Sequence, residues 1–165
     1  MRIAVATTSY PRRPGDFAGA FVRDLNIALR SRGAVPVTFA PAADLTEDLQ
    51  DDTGGPVVRI EPPGPVGRRL FYGDGMEANV RREGRVAVLR SLRAYGSALR
   101  RALAAQGTFD VVLAHWLVPT GVWLAGRVST PLIGVCHGGD AHVLARPCLG
   151  RLAGGRLEGR LAGVL

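Results

Sequence analysis

Apolar residues along this chain fall into two patterns. Mostly apolar runs occupy residues 2–7, 35–40, 57–60, 110–115 and 132–136. Each has the length of a strand, and several are apolar at successive positions rather than alternate ones, as strands buried on both faces are. Between the first two runs, Phe21, Val22, Leu25, Ala28 and Leu29 recur at i, i+3, i+4, i+7, which predicts a helix over 18–32. Gly33 stands where a helix-ending glycine belongs. A longer helix is predicted over 86–105, with Leu89, Leu92, Leu99 and Leu103 turned inward and Arg90, Arg93, Arg100 and Arg101 turned to water. Shorter helices are predicted at 120–127 and 149–161. Residues 42–56 are acidic and polar and read as a loop, with or without a short helix. Pro62, Pro63, Gly64, Pro65 and Gly67 predict another loop. Strands alternating with helices imply a doubly wound α/β domain, a Rossmann-like parallel sheet of about five strands with helices on both faces.

Length and composition narrow the class. The chain has 165 residues and 47% hydrophobic content, enough for one domain with a real core. The net charge of +7 is carried by arginine alone, because the sequence contains no lysine. A polyanion-binding surface ordinarily mixes the two, and no nucleic-acid motif accompanies the charge, so nucleic acid is not an expected partner. Arg68, Arg69, Arg81, Arg82 and Arg85 cluster around Phe71 and Tyr72. This reads as a solvated surface or as a contact for anionic lipid or a diphosphate carrier. With two cysteines, Cys136 and Cys148, no disulfide framework is implied and Cys136 is expected to be buried and inert. The longest uncharged run, residues 111–126, is shorter than the ~20 residues that span a bilayer. The expected location is the cytoplasm, with peripheral attachment to the inner membrane face as the alternative.

Candidate chemistry collects at predicted strand ends. In an open α/β sheet ligands bind beyond the carboxyl ends of the strands. Three ends here carry polar groups: Thr7-Thr8-Ser9 with a Pro/Gly loop, His115-Trp116, and His137-Gly138-Gly139-Asp140. The loop P-R-R-P-G-D-F-A-G (residues 11–19) opens the first helix, where free N–H groups suit an anion. It matches neither G-x-G-x-x-G nor a Walker A sequence. Gly15 and Gly19 permit close backbone approach. Asp16 meets either a sugar hydroxyl or water. His137 is placed to donate to a sugar hydroxyl or phosphate. Asp140 caps the following turn or accepts from a hydroxyl, and His115 is either packed at its strand end or ligand-facing. His142 reads as a surface residue. His137, Asp140 and His142 on one short turn do not resemble the usual spacing of a metal site, so no metal is expected. A hydrolase with a G-x-S-x-G nucleophile elbow is excluded, since that string does not occur.

These strings, taken in order, resemble a known family. R-I-A-V-A-T-T-S-Y-P-R-R-P-G-D-F-A-G-A-F-V-R-D-L-N-I-A-L-R-S-R-G resembles the opening of family 4 glycosyltransferases of the GT-B fold. F-D-V-V-L-A-H-W-L-V-P-T-G and V-C-H-G-G-D resemble the family's fourth and fifth strand ends. Gly139 stands where the family usually has a hydroxyl residue, and Ala18-Gly19 where many members have Gly-Gly. The resemblance implies a retaining transfer of a sugar from a nucleotide-sugar donor to a glycan or lipid-linked acceptor, with no cofactor and no obligatory metal. It implies that His137 is the catalytic residue at the reacting centre. Gly15, Asp16, Gly19, His115, Gly138, Gly139 and Asp140 are implied as binding or supporting residues, with Gly19 near the donor phosphates. The family's E-x7-E pair has no match, since no Glu is followed by another eight positions on. Residues 1–165 are therefore expected to be a single acceptor-side, N-terminal domain, incomplete at its sixth strand and lacking the donor domain. A separate donor-domain polypeptide is the expected partner, and the lone chain is expected to have little or no activity. The alternative is a non-catalytic sugar- or nucleotide-binding module of the same fold.

Overall fold

The structure is a computed structural model that describes residues 1–43, 51–72 and 75–165. Four strands of the N-terminal half come first: β1 (Arg2–Ala6), β2 (Val35–Pro41), β3 (Asp51–Asp52) and β4 (Gly55–Ile60). The helix α1 (Ala20–Arg30) joins β1 to β2, and α2 (Gly64–Tyr72), α3 (Gly75–Glu83) and α4 (Arg85–Ala105) follow β4. The C-terminal half comprises β5 (Val111–His115), a helical turn Leu117–Gly121 running into α5 (Val122–Leu124), β6 (Leu132–Val135), α6 (Gly138–Leu144), α7 (Pro147–Leu157) and β7 (Gly163–Val164).

The sheet order is β3-β4-β2-β1-β5-β6-β7. All neighbours are parallel except β3, which pairs antiparallel with β4. Alternation along β1 explains why its run is apolar throughout. Ala4 and Ala6 face one core with Phe39, Tyr95, Leu99 and Trp123, under α4. Ile3 and Val5 face the other with Val22, Val57 and Leu113, under α1. Both faces are dry, as doubly wound topology requires. The chain leaves β1 for β2 on one side and returns to β5 on the other, so the crevice between the loops after β1 and β5 is the topological switch point.

Several expectations need correction. Among the described residues six parallel strands are present where about five were predicted. The sixth, β7, occupies a segment whose sequence carries no strand signal: Ile133 pairs with Gly163 and Gly134 with Val164. It follows α7, which starts two residues before and ends four residues before the helix expected over 149–161, and an additional helix, α6, precedes α7. The proline-rich stretch at 62–67 is mostly helix, not loop. Pro65 falls in the first turn of α2, where its missing N–H costs no hydrogen bond, and Gly67 packs against Pro62 and Pro63. Leu89 is 47% exposed, since the buried face of α4 runs through Val88, Tyr95, Gly96, Leu99 and Leu103. Within α1 the buried positions are Val22 and Asn26, whose amide donates to Thr38 Oγ1 at 2.8 Å. Cys136 is exposed, one residue beyond β6. In the predicted loop 42–56, residues 44–50 lie outside the described residues, and the rest includes β3 and the start of β4.

Candidate functional site

Three strand tips form one rim. His115 ends β5, His137 follows β6 by two residues, and the loop after β1 leads into α1. His115 is buried, 1% exposed, and its Nδ1 lies 3.2 Å from Nε2 of the half-buried His137. The two rings are nearly coplanar, at 18°, with centroids 5.3 Å apart. That separation is close to the nitrogen distance plus the two ring radii, so the rings meet edge to edge through an N–H···N hydrogen bond, not face to face.

Two aromatic rings flank His137. Phe21, in the first turn of α1, approaches it with centroids 4.9 Å apart, and Trp116 with centroids 4.6 Å apart. Phe21 also touches His115 and Trp116. Its place on the i, i+3, i+4 stripe suggested core. The structure leaves it 46% exposed on the rim, because the first turn of α1 lies against His115, Trp116 and His137 at the tips of β5 and β6. Trp116 has φ +62°, a left-handed backbone uncommon for a bulky residue, which carries the chain sharply away from β5. Burial holds both imidazoles below the ordinary pKa of 6.5. For His115 the value falls to about 4, with the His137 ring adding to the effect. For His137 the nearby Asp140 opposes it.

Asp140 is the organiser of this rim. It is 1% exposed, and its carboxylate accepts the main-chain N–H groups of His137 at 2.9 Å, Leu117 at 3.1 Å and Val118 at 3.1 Å. The first is one half of a capping box, in which the N3 side chain reaches back to the N-cap N–H. The other two tie the turn after β5 to the turn after β6. Leu117 in turn seats over Gly134, where an added Cβ would come within 2.2 Å of Leu117 Cδ2. Gly138 and Gly139 are exposed, and nothing lies within 4 Å of where a Cβ would stand.

The loop after β1 is held largely by its own side chains and backbone. Asp16 accepts from Arg12 Nε at 2.6 Å, Arg12 N at 3.1 Å, Arg12 Nη2 at 3.3 Å and Ala18 N at 3.1 Å. A carboxylate offers about four acceptor positions, so this one is committed to the loop. The Arg12 guanidinium holds its pKa well below the usual carboxylate range. Gly19, at φ +69°, is the N-cap of α1, and a Cβ there would stand 2.2 Å from Ser9 O. Its lack of a side chain serves the packing of the loop on itself. Gly15, at φ +80°, is exposed with open space around it. Tyr72 from α2 and Arg59 from β4 anchor the same loop. The Tyr72 hydroxyl accepts Tyr10 N–H at 3.3 Å and lies 3.1 Å from Pro41 O, and Arg59 donates to Pro11 O. Tyr72 thus helps hold this loop, and Phe71 packs on Tyr95. Within the arginine cluster Arg68 pairs with Glu61 and Arg69 with Glu83.

His142 is exposed on α6, apart from the histidine pair. Among the described residues no group of three His, Cys, Asp or Glu gathers as a metal-binding set, and no helix is long and apolar enough to cross a membrane. A shallow concavity of about 490 Å³ runs along α7, lined by Leu144, Arg146, Arg151 and Glu158, and includes neither histidine of the pair.

No protein-family model matches the chain, and no curated protein matches it in sequence. Solved structures do match it in fold. A sucrose-phosphate synthase from Thermosynechococcus elongatus aligns at a TM-score of 0.57 and 15% identity, over 92% of this chain and 70% of that one. The glycotransferase of kitacinnamycin aligns at 0.49 and 18% identity, over 94% of this chain and 38% of that one. The chain has a glycosyltransferase-like α/β fold of the Rossmann type.

Proposed function

We propose that this chain is the acceptor-side domain of a retaining, family 4-like GT-B glycosyltransferase. Such an enzyme transfers a sugar from a nucleotide-sugar donor to a glycan or lipid-linked acceptor, without an obligatory metal, in the cytoplasm or at the inner membrane face. The observation that carries this reading is the meeting of His137, His115 and the first turn of α1 on one rim, at the switch point of the sheet. In this reading His137 faces the reacting sugar, held by Asp140 through its main chain and by His115 through its ring. A neutral imidazole there donates to a hydroxyl or to the oxygen that gains charge as the diphosphate leaves. The open backbone at Gly138 and Gly139 leaves room for the sugar. A donor-side domain carrying E-x7-E, absent from these residues, supplies the nucleotide contacts.

A second reading is a sugar- or nucleotide-binding module without catalysis, which the exposed backbone at Gly138 and Gly139 beside His137 would serve equally. The test is turnover of radiolabelled nucleotide sugars by the purified chain, alone and with a donor-domain polypeptide. The expected result is transfer only in the mixture, reduced about 10²-fold or more by His137→Asn. Robust transfer by the lone chain overturns the half-site reading. Saturable donor binding without transfer in any combination selects the binding module.

A further inference from the structure

The hydrogen bond between the two imidazoles has only two neutral forms. In one, His115 Nδ1–H donates to His137 Nε2. In the other, His137 Nε2–H donates to His115 Nδ1. The forms differ in what each ring offers elsewhere. In the first, His137 carries its remaining proton on Nδ1 and is a donor there. In the second, its Nδ1 is a bare acceptor.

We infer that His115 is a positioning residue that sets the tautomer of His137: it donates through Nδ1–H to His137 Nε2, and so makes His137 Nδ1–H the group available to a ligand on the rim. Two observations select this form. First, His115 Nε2 is buried with no hydrogen-bond partner among the described residues. The first form leaves a bare lone pair there, whereas the second leaves an orphaned N–H, the rarer defect in protein interiors. Second, a carboxylate lies beside His137: Asp140 binds the main-chain N–H of His137 itself at 2.9 Å. Of the two ring nitrogens, Nδ1 is the nearer to that main-chain nitrogen, so the carboxylate draws the proton to Nδ1. The other groups packed on His137, Phe21 of α1 and Trp116 after β5, carry no charge. His115 therefore acts through His137 and does not itself meet the ligand. The proposed function placed a donor at His137, and that use of the Nδ1–H rests on the transferase reading.

Nitrogen-15 spectra of the histidine rings, recorded on the intact chain at about pH 8, where an ordinary imidazole is neutral, read each tautomer without substrate. Free neutral histidine favours Nε2–H, so the form inferred here is distinguishable. The expected result is Nδ1–H on both His115 and His137. His115→Asn, whose amide nitrogen can occupy the Nδ1 position, should keep His137 as Nδ1–H, and His115→Leu should return it to mostly Nε2–H. Nε2–H on His137 in the unaltered chain overturns the inference, as does Nδ1–H persisting in His115→Leu. Should the leucine variant fail to fold, the unaltered chain and His115→Asn still decide the matter. The spectra involve no sugar transfer, so the outcome is separate from that of the turnover test.

Discussion

Asp140 and His137 hold each other at both ends of one turn: the carboxylate accepts His137 N–H at 2.9 Å, and Asp140 N–H donates to His137 O at 2.8 Å. Because the same carboxylate also accepts from Leu117 and Val118, one side chain sets the relative position of two strand tips. Asp140→Ala strands three main-chain donors, two of them in the turn after β5. The expected loss is about 3–5 kcal/mol, read as a lower urea midpoint, with Asp140→Asn falling between it and the unaltered chain.

The glycines of the candidate site should separate into two kinds. Gly19→Ala requires a left-handed alanine and drives its Cβ into Ser9 O, so a loss of at least about 2 kcal/mol is expected. Gly139→Ala meets open space inside a helix and should be neutral or stabilising by up to about 1 kcal/mol. Thermal melts of the two variants check the contrast. If the transferase reading holds, Gly139→Ala weakens donor binding while leaving the melt unchanged or raised.

Stability should depend on pH in the window set by the histidine pair. Burial lowers both imidazoles, so between 6.5 and about 4 the unfolded chain binds more protons than the folded one. Stability therefore falls as pH drops through that window and levels off below it, with His115 contributing on the order of 3 kcal/mol. Asp16, whose pKa is depressed, gives stability that is lost only once pH falls below the ordinary carboxylate value, outside this window. Urea midpoints measured across the window should slope steeply in the unaltered chain and more gently in His115→Asn. Equal slopes would contradict the burial argument.

Removing the Tyr72 hydroxyl should loosen the loop after β1 without unfolding the domain. Tyr72→Phe leaves the ring in place but deletes the group that accepts Tyr10 N–H. Amide hydrogen exchange across residues 9–18 should quicken roughly tenfold, the equivalent of about 1.4 kcal/mol, while α4 amides keep their protection.

Much of this protein follows from sequence alone. The runs that became β1, β2, β5 and β6 are mostly apolar because these strands are covered on both sides, and that property is local. The stripe of α1 and its Gly33 stop are local too: Gly33 N–H bonds Arg30 O and Ala34 N–H bonds Leu29 O. The rim was legible because backbone-exposing residues follow the strand ends in order. Tertiary structure alone decided the roles on it. Asp140 reaches Leu117 and Val118 across 23 and 22 positions, and His115 reaches His137 across 22, so no short pattern records which polar groups are already satisfied. That Asp16 pairs with Arg12 is invisible in the sequence, and Phe21 sits on the helical stripe yet lies on the rim because α1 is placed above the strand tips. β7 exists only because β6 offers it an edge. Periodicity reports whether a residue is wet or dry. Which partner it meets is settled when distant segments pack.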